Sequence, residues 1–201
     1  MQNFLSRATI IPFENVEYTL RDSEGNVKML FQENWLCVKL MKSGIVSPNW
    51  INQWYAFLLE PLFGHYAQSK LVMNKVVNAG LALAAGLLNG SGSPTTPTYI
   101  ALGTGATGVQ ATDTTLGTEI TLHGLARAAA TVSLQTTTVT NDTAQWLKSF
   151  SVTGTDAPTE SGVFNASSNG TMLCRQTFSA INVANGDTLQ VTWKIAETSA
   201  N

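Results

Sequence analysis

The chain is short of charge. Lysine, arginine, aspartate and glutamate make up 12% of its 201 residues and leave a formal net charge of −2, about half the usual charged share of a soluble domain. A basic stripe for nucleic acid and a polybasic patch for an anionic membrane are both excluded by that balance. Histidine is almost missing: only His65 and His123 occur, and nothing near either has metal-ligand spacing, so no metal or other cofactor is expected. The two cysteines, Cys37 and Cys174, lie far apart in stretches of different composition, which reads as two buried thiols rather than a disulfide framework. Met1-Gln-Asn-Phe-Leu-Ser-Arg7 lacks the cationic start and long apolar run of a secretory leader, so synthesis in a cytoplasm is expected. The most apolar window, Val76 to Leu88, is interrupted by Asn78, Gly80 and Gly86 and falls short of the ~20 residues a membrane-crossing helix needs.

Threonine, serine, asparagine and glutamine are what the surface has instead. A polar surface with so little charge suits a protein packed against neighbours, and a sticky monomer is compatible with it too. The length allows one good core, or one domain with a substantial extension. Composition shifts at Gly90-Ser-Gly-Ser-Pro-Thr-Thr-Pro97, a stretch no helix or central strand tolerates. The predicted organisation is an N-terminal attachment region (1–90), a linker (91–98) and a β domain (99–201).

In the first region, Val16 to Asp22 and Val27 to Phe31 flank Ser23-Glu-Gly-Asn26, a β-hairpin signal. A short helix is expected over Trp50 to Leu59, stopped by Pro61. A second is expected from about Lys70 to Leu88, where Leu71, Val72, Lys75, Val76, Ala79, Leu83 and Leu87 recur mostly at three and four, ending at Asn89-Gly90. Beyond the linker the pattern changes to strands: Thr98–Leu102, Arg127–Thr140, Ala144–Val152, Met172–Phe178 and Asp187–Ile195. In the last, Leu189, Val191, Trp193 and Ile195 alternate with Gln190, Thr192 and Lys194, the period of a strand with one face buried. Turn signals separate the runs, so the fold class is mainly β: an antiparallel β-sandwich or jelly-roll-like C-terminal body with an N-terminal hairpin and short helices. Trp146, Phe150 and Val152 should point inward, with Lys148 at an edge or snorkelling.

Several motifs tempt a chemical reading. Gly103-Thr-Gly-Ala-Thr-Gly108 has the spacing of a dinucleotide-binding loop, but the threonine-rich segment after it lacks a helical stripe, so it reads as a flexible or tight surface loop. Cys174 beside Arg175 suggests a reactive thiolate; in an alternating strand the two point to opposite faces, which makes Cys174 a core thiol. Glu119 with Glu160, or Asp113 with Asp187, would suit a glycosidase pair, yet nothing in sequence brings either pair together. The four Asn-x-Ser/Thr triplets, at Asn89, Asn141, Asn165 and Asn169, are chance in so threonine-rich a chain. Trp35, Trp50, Trp54, Tyr55 and Phe57, with Phe63 and Tyr66, form either the core of a small helical layer or a hydrophobic docking surface for a partner.

Tyr99-Ile-Ala-Leu-Gly-Thr-Gly105, Asp113-Thr-Thr-Leu-Gly-Thr-Glu119, Gly124-Leu-Ala-Arg127, Thr159-Glu-Ser-Gly-Val-Phe164, Gly170-Thr-Met-Leu-Cys-Arg175 and Asp187 to Ile195 form a series. Together with Arg21 to Lys28 and Leu30 to Asn34, this series resembles virion proteins of tailed bacteriophages: tail-fibre, collar or capsid-decoration components in which a β-rich domain closes on a similar phrase. The resemblance implies a non-enzymatic virion structural protein, made in the host cytoplasm, whose partners are other virion proteins and copies of itself in a trimer or ring. It brings no catalytic residues. The chain has no shaft repeat, which favours a compact neck, collar, fibre-attachment or tail component; capsid decoration is the alternative. A receptor- or carbohydrate-binding module on the same scaffold is the reading from another class. An enzyme would need an acid, base or metal constellation that the sequence does not display.

Overall fold

The computed structural model describes residues 13–47 and 62–197. The helix expected over Trp50 to Leu59, with its stop at Pro61, lies outside the described residues.

The protein is mainly β, with antiparallel sheets and two short helices among the described residues. The first sheet runs β2 (Val27–Lys28), β1 (Phe13–Arg21), β13 (Thr188–Ala196), β10 (Thr143–Ser151), β9 (Thr131–Gln135), with β5 (Lys70–Val72) also paired to β1. The second runs β6 (Lys75–Val76), β12 (Met172–Thr177), β11 (Glu160–Phe164), β7 (Tyr99–Gly103), β8 (Ala128–Ala129). A separate hairpin joins β3 (Leu30–Glu33) to β4 (Gly64–Ala67), and the helices are α1 (Trp35–Lys42) and α2 (Asn78–Asn89).

The alternation in β13 sets the register of the first sheet. Trp193 is opposite Val16 on one side and Trp146 on the other, and Val191 is opposite Tyr18 and Lys148. These inward side chains meet Ile100, Leu102, Val163 and Cys174 of the second sheet in one core, which makes the two sheets a sandwich. Trp146, Phe150 and Val152 are buried as expected. Lys148 lies on the inward face; β9 ends its pairing at Leu147, and the ammonium stands 5.8 Å from the Phe150 ring centroid. Across the core the Tyr18 hydroxyl and Ser161 Oγ are 2.6 Å apart, and the Tyr18 ring lies 4.3 Å from that of Phe178.

The division at 91–98 does not separate two cores. β1 pairs with β13 along nine residues, from Phe13↔Ala196 to Arg21↔Thr188, so the first sheet is built from both sides of the expected linker. The segment predicted as the start of the second helix is also β: Lys70–Val72 pairs with β1, Lys75–Val76 pairs with β12, and α2 begins only at Asn78. Val72 and Val76 spend their side chains on the sandwich core, a burial that outweighs a helical spacing. The helix does stop where predicted, with Gly90 at φ 70°, the left-handed conformation glycine accepts without strain.

Residues 70–76 thus pass from the first sheet to the second along one flank, and residues 128–135 make the opposite passage along the other. The strand expected over Arg127–Thr140 is correspondingly broken: Ala130 donates its N–H to the Thr98 carbonyl as the chain changes sheets, and residues after Gln135 form a turn. Asp142 organises that turn, accepting the N–H groups of Thr137 (2.8 Å), Thr138 (2.7 Å) and Val139 (2.7 Å). These bonds, the one from Val139 foremost, hold its carboxyl well below the usual carboxylate range. The N-terminal hairpin forms only next to its turn, with Leu20 opposite Lys28 and Arg21 opposite Val27; Leu30 and Phe31, expected in the same arm, pair instead with Ala67 and Tyr66 of β4.

The second sheet is covered on both faces. Against its outer side, Val77, Ala101, Leu116, Phe164 and Met172 form a smaller core under α2 and the loop after β7.

Candidate functional site

The glycine loop after β7 closes on a carboxylate of its own chain. Glu160, on β11, has no exposed surface. Its Oε1 accepts the N–H groups of Gly105 (2.9 Å) and Thr118 (2.9 Å), and its Oε2 accepts that of Gly117 (3.0 Å). Arg175 on the adjacent β12 donates Nε to the same Oε2 at 2.8 Å, with Nη2 at 2.6 Å, and gives Nη1 to Asp113 at 2.7 Å and Nη2 to the Thr107 carbonyl at 3.1 Å. A β-carbon at Gly103 or Gly105 would overlap the Glu160 carboxylate, which is why glycine stands at both. In a nucleotide-binding loop such N–H groups face a pyrophosphate; here an internal anion takes them. The loop is tight, and it is pinned to the second sheet.

The other carboxylates considered as acid–base candidates are similarly committed. Glu119 receives Arg127 through two bonds, 2.9 and 2.6 Å, and the same guanidinium lies 3.7 Å above the Phe164 ring and reaches the Asn169 carbonyl at 2.8 Å. Asp187 pairs with Lys28 at 2.7 Å. Cys174 belongs to the inner core, and Arg175 points to the opposite face; Cys37 lies in a separate small cluster. His123 Nδ1 stands 3.2 Å from Asp156 Oδ2 on the surface, and His65 is exposed on β4. Among the described residues, no group of three His, Cys, Asp or Glu side chains is placed to hold a metal ion.

A further buried ion pair, between residues not considered as site candidates, also went unseen in the sequence. Lys70, on β5, is buried with Glu33 of β3, and its ammonium also donates to the Phe31 carbonyl (2.6 Å) and to Ser179 Oγ (2.6 Å). All three N–H bonds of the ammonium are therefore used. Burial lowers the Lys70 pKa, against the pull of the Glu33 carboxylate beside it. A lysine next to Leu71 and Val72 reads locally as the wet side of a helix, so only its partner 37 positions away would have revealed it.

The predicted docking residues divide. Trp50, Trp54, Tyr55 and Phe57 lie outside the described residues. Trp35 opens α1 and is 74% exposed. Its position is fixed by Asn34, whose side chain caps the helix by accepting from the Cys37 N–H (3.0 Å) and donates to the Leu62 carbonyl (2.7 Å). The small core beside α1 is made instead by Phe31 and Cys37 with Met41, Val46 and Phe63. Trp35 and Val38 line a cleft of about 530 Å³ with Gln32, Leu71, Met73 and Gln176; Leu71 and Met73 are also exposed. Glu33, Asn34, Lys39 and Val72 complete its lining.

No family model, no curated protein and no solved structure matches the chain.

Proposed function

We propose that the chain is a non-enzymatic structural protein of a tailed-bacteriophage virion, a compact neck, collar, fibre-attachment or tail component that assembles through subunit contacts. The observation that carries this reading is where the resembling motifs spend their charge. Arg175 of Gly-Thr-Met-Leu-Cys-Arg bridges Glu160 of Thr-Glu-Ser-Gly-Val-Phe and Asp113 of Asp-Thr-Thr-Leu, and Glu119 bonds to Arg127. Motifs far apart in sequence are therefore one internal framework. Their ionised groups stiffen a scaffold, while Trp35, Leu71, Met73, Val132, Leu134 and Val139 stand on the surface. Chemistry held inside and apolar groups presented outside suit a protein that works by adhesion.

Mass spectrometry of gradient-purified particles tests it, with this chain's copy number scored against the major capsid protein. A dozen or so copies per particle is the expected outcome; hundreds would favour capsid decoration, and absence from particles would overturn the virion reading. A glycan-binding module draws support from one observation, the exposed Trp35 lining an open cleft, since a sugar ring stacks on such an indole. Tryptophan fluorescence titrated with bacterial surface glycans tests that reading.

A further inference from the structure

We propose that β9 is a homodimerisation edge, pairing antiparallel with β9 of a second copy about a twofold axis through Ser133. This names the self-contact of the assembly reading above and rests on it.

Open sheet edges are ordinarily blocked by charge, by proline or by a covering group. The other four edges of this sandwich are protected in these ways or by being very short. The outer side of β5 is capped by the Gln32 amide, which accepts the Leu71 N–H (2.6 Å) and donates to the Leu71 carbonyl (2.9 Å). β2 carries Lys28, paired to Asp187, and leaves the charged turn Asp22–Asn26. β6 is two residues long, carries Lys75 and runs directly into α2. β8 is also two residues, and it continues into β9.

β9 breaks the rule. From Ala128 to Asn141 the sequence contains no charged residue, no proline and no glycine, and every residue of β9 is exposed. Its pairing with β10 uses one side of the strand, so alternate N–H and C=O groups on the other side face outward. The inward-facing side chains continue the core beyond the place where the second sheet stops. Val132 stands opposite buried Trp146 and Leu134 opposite Ala144, yet they are 50% and 60% exposed.

The occupant follows from self-complementarity. An antiparallel pairing centred on Ser133 places Val132 of one copy opposite Leu134 of the other, twice, and Thr131 opposite Gln135, twice. Both apolar pairs fall on the core face and both polar pairs on the outer face. No like charges meet, as they would at the Lys28 or Lys75 edge. The Asp142 bonds that hold the turn beyond β9 fix the edge before it meets its partner, which lowers the ordering cost of pairing.

Sedimentation of the full chain over a concentration series, compared with Leu134→Lys and Ser133→Cys, tests the proposal. Wild type should sediment as a dimer at high concentration. Leu134→Lys, at an exposed position, should keep its circular dichroism, and its melting temperature at dilutions where wild type is monomeric, while its dissociation constant rises about tenfold or more, since each lysine replaces the apolar partner of Val132 and the two lysines stand diagonally across the seam. Opposed Cα atoms in such a pair are about 4.5–5.5 Å apart, within disulfide reach, so Ser133→Cys should oxidise to a covalent dimer while Gln135→Cys does not. A wild-type chain that stays monomeric, or a dimer that survives Leu134→Lys and gives no Ser133→Cys cross-link, overturns the β9 contact. If the chain is nonetheless found in purified particles, the virion reading stands without it. A dimer with the expected variant behaviour, from a chain absent in particles, supports the edge contact and removes the virion reading.

Discussion

Tyr18 and Ser161 join the two sheets by a side-chain hydrogen bond of 2.6 Å through the middle of the core. They lie 143 positions apart, so the contact ties the first described strand to the centre of the second sheet. Burial raises the Tyr18 pKa well above its ordinary 10.0, against the smaller lowering effect of the Ser161 hydroxyl.

An alkaline limit to stability follows. A group whose folded pKa is raised gives its full contribution below the unfolded pKa and loses it as pH rises through the folded one. The contribution of neutral Tyr18 is therefore intact below pH 10.0 and decays above it. At pH 7, Tyr18→Phe should cost about 1–2 kcal/mol by stranding the Ser161 hydroxyl. In urea titrations, the gap between wild type and Tyr18→Phe should shrink as pH passes 10; a gap that stays constant to pH 11 would contradict the assignment.

Arg175→Met should be among the most damaging single changes. It leaves the Glu160 carboxylate buried without its cation, which costs about 3–5 kcal/mol. Asp113→Asn should cost less, because the Asp113 side chain is 20% exposed. Denaturant midpoints for the two variants would give the order, and an equal loss would show that Asp113 carries as much of the network as Glu160.

Trp193 has no exposed surface, and its indole Nε1 makes no hydrogen bond among the described residues. Trp193→Ala should lose about 3–5 kcal/mol by emptying a core position. Trp193→Phe, which keeps an aromatic ring and deletes only an unsatisfied N–H, should lose clearly less. Calorimetry on both separates packing from polarity at this site.

Gly80→Ala should destabilise although alanine is the better helix former by about 1 kcal/mol. Gly80 packs directly on the backbone of Leu173, and an added β-carbon would overlap its carbonyl. A melting temperature that rises in this variant would show that α2 shifts freely on β12.

The sequence made the period-two strands legible because each has one dry face: Leu189 to Ile195 and Trp146 to Val152 carry their fold locally. Glycine and asparagine at turn positions marked the ends, as at Asn89-Gly90. What escaped was whatever depends on distant partners. Leu71 to Val76 has helical spacing, yet the segment is drawn into two strands by β1 and β12, which no local pattern reveals. In sequence Glu160 reads only as a possible partner of Glu119 and Arg175 only as a neighbour of Cys174, because the N–H cradle that joins them comes from a third segment, Gly105 to Thr118. Of the candidate docking residues, Trp35 was legible as surface or core but not as which, since its exposure is set by the Asn34 cap and not by periodicity.

The place of β13 between β1 and β10 has a consequence in time. Both of its neighbours leave the ribosome before it does, and until residues 188–196 emerge they have no strand to join them. The first sheet must wait as two halves with their inward faces bare, and its closure comes in one late step. Such long-range pairing is slow, and the waiting chain is vulnerable to association with other nascent copies. A ribosome stalled before Thr188 should therefore hold a chain open to protease, one that turns resistant only after Ala196 has cleared the exit tunnel.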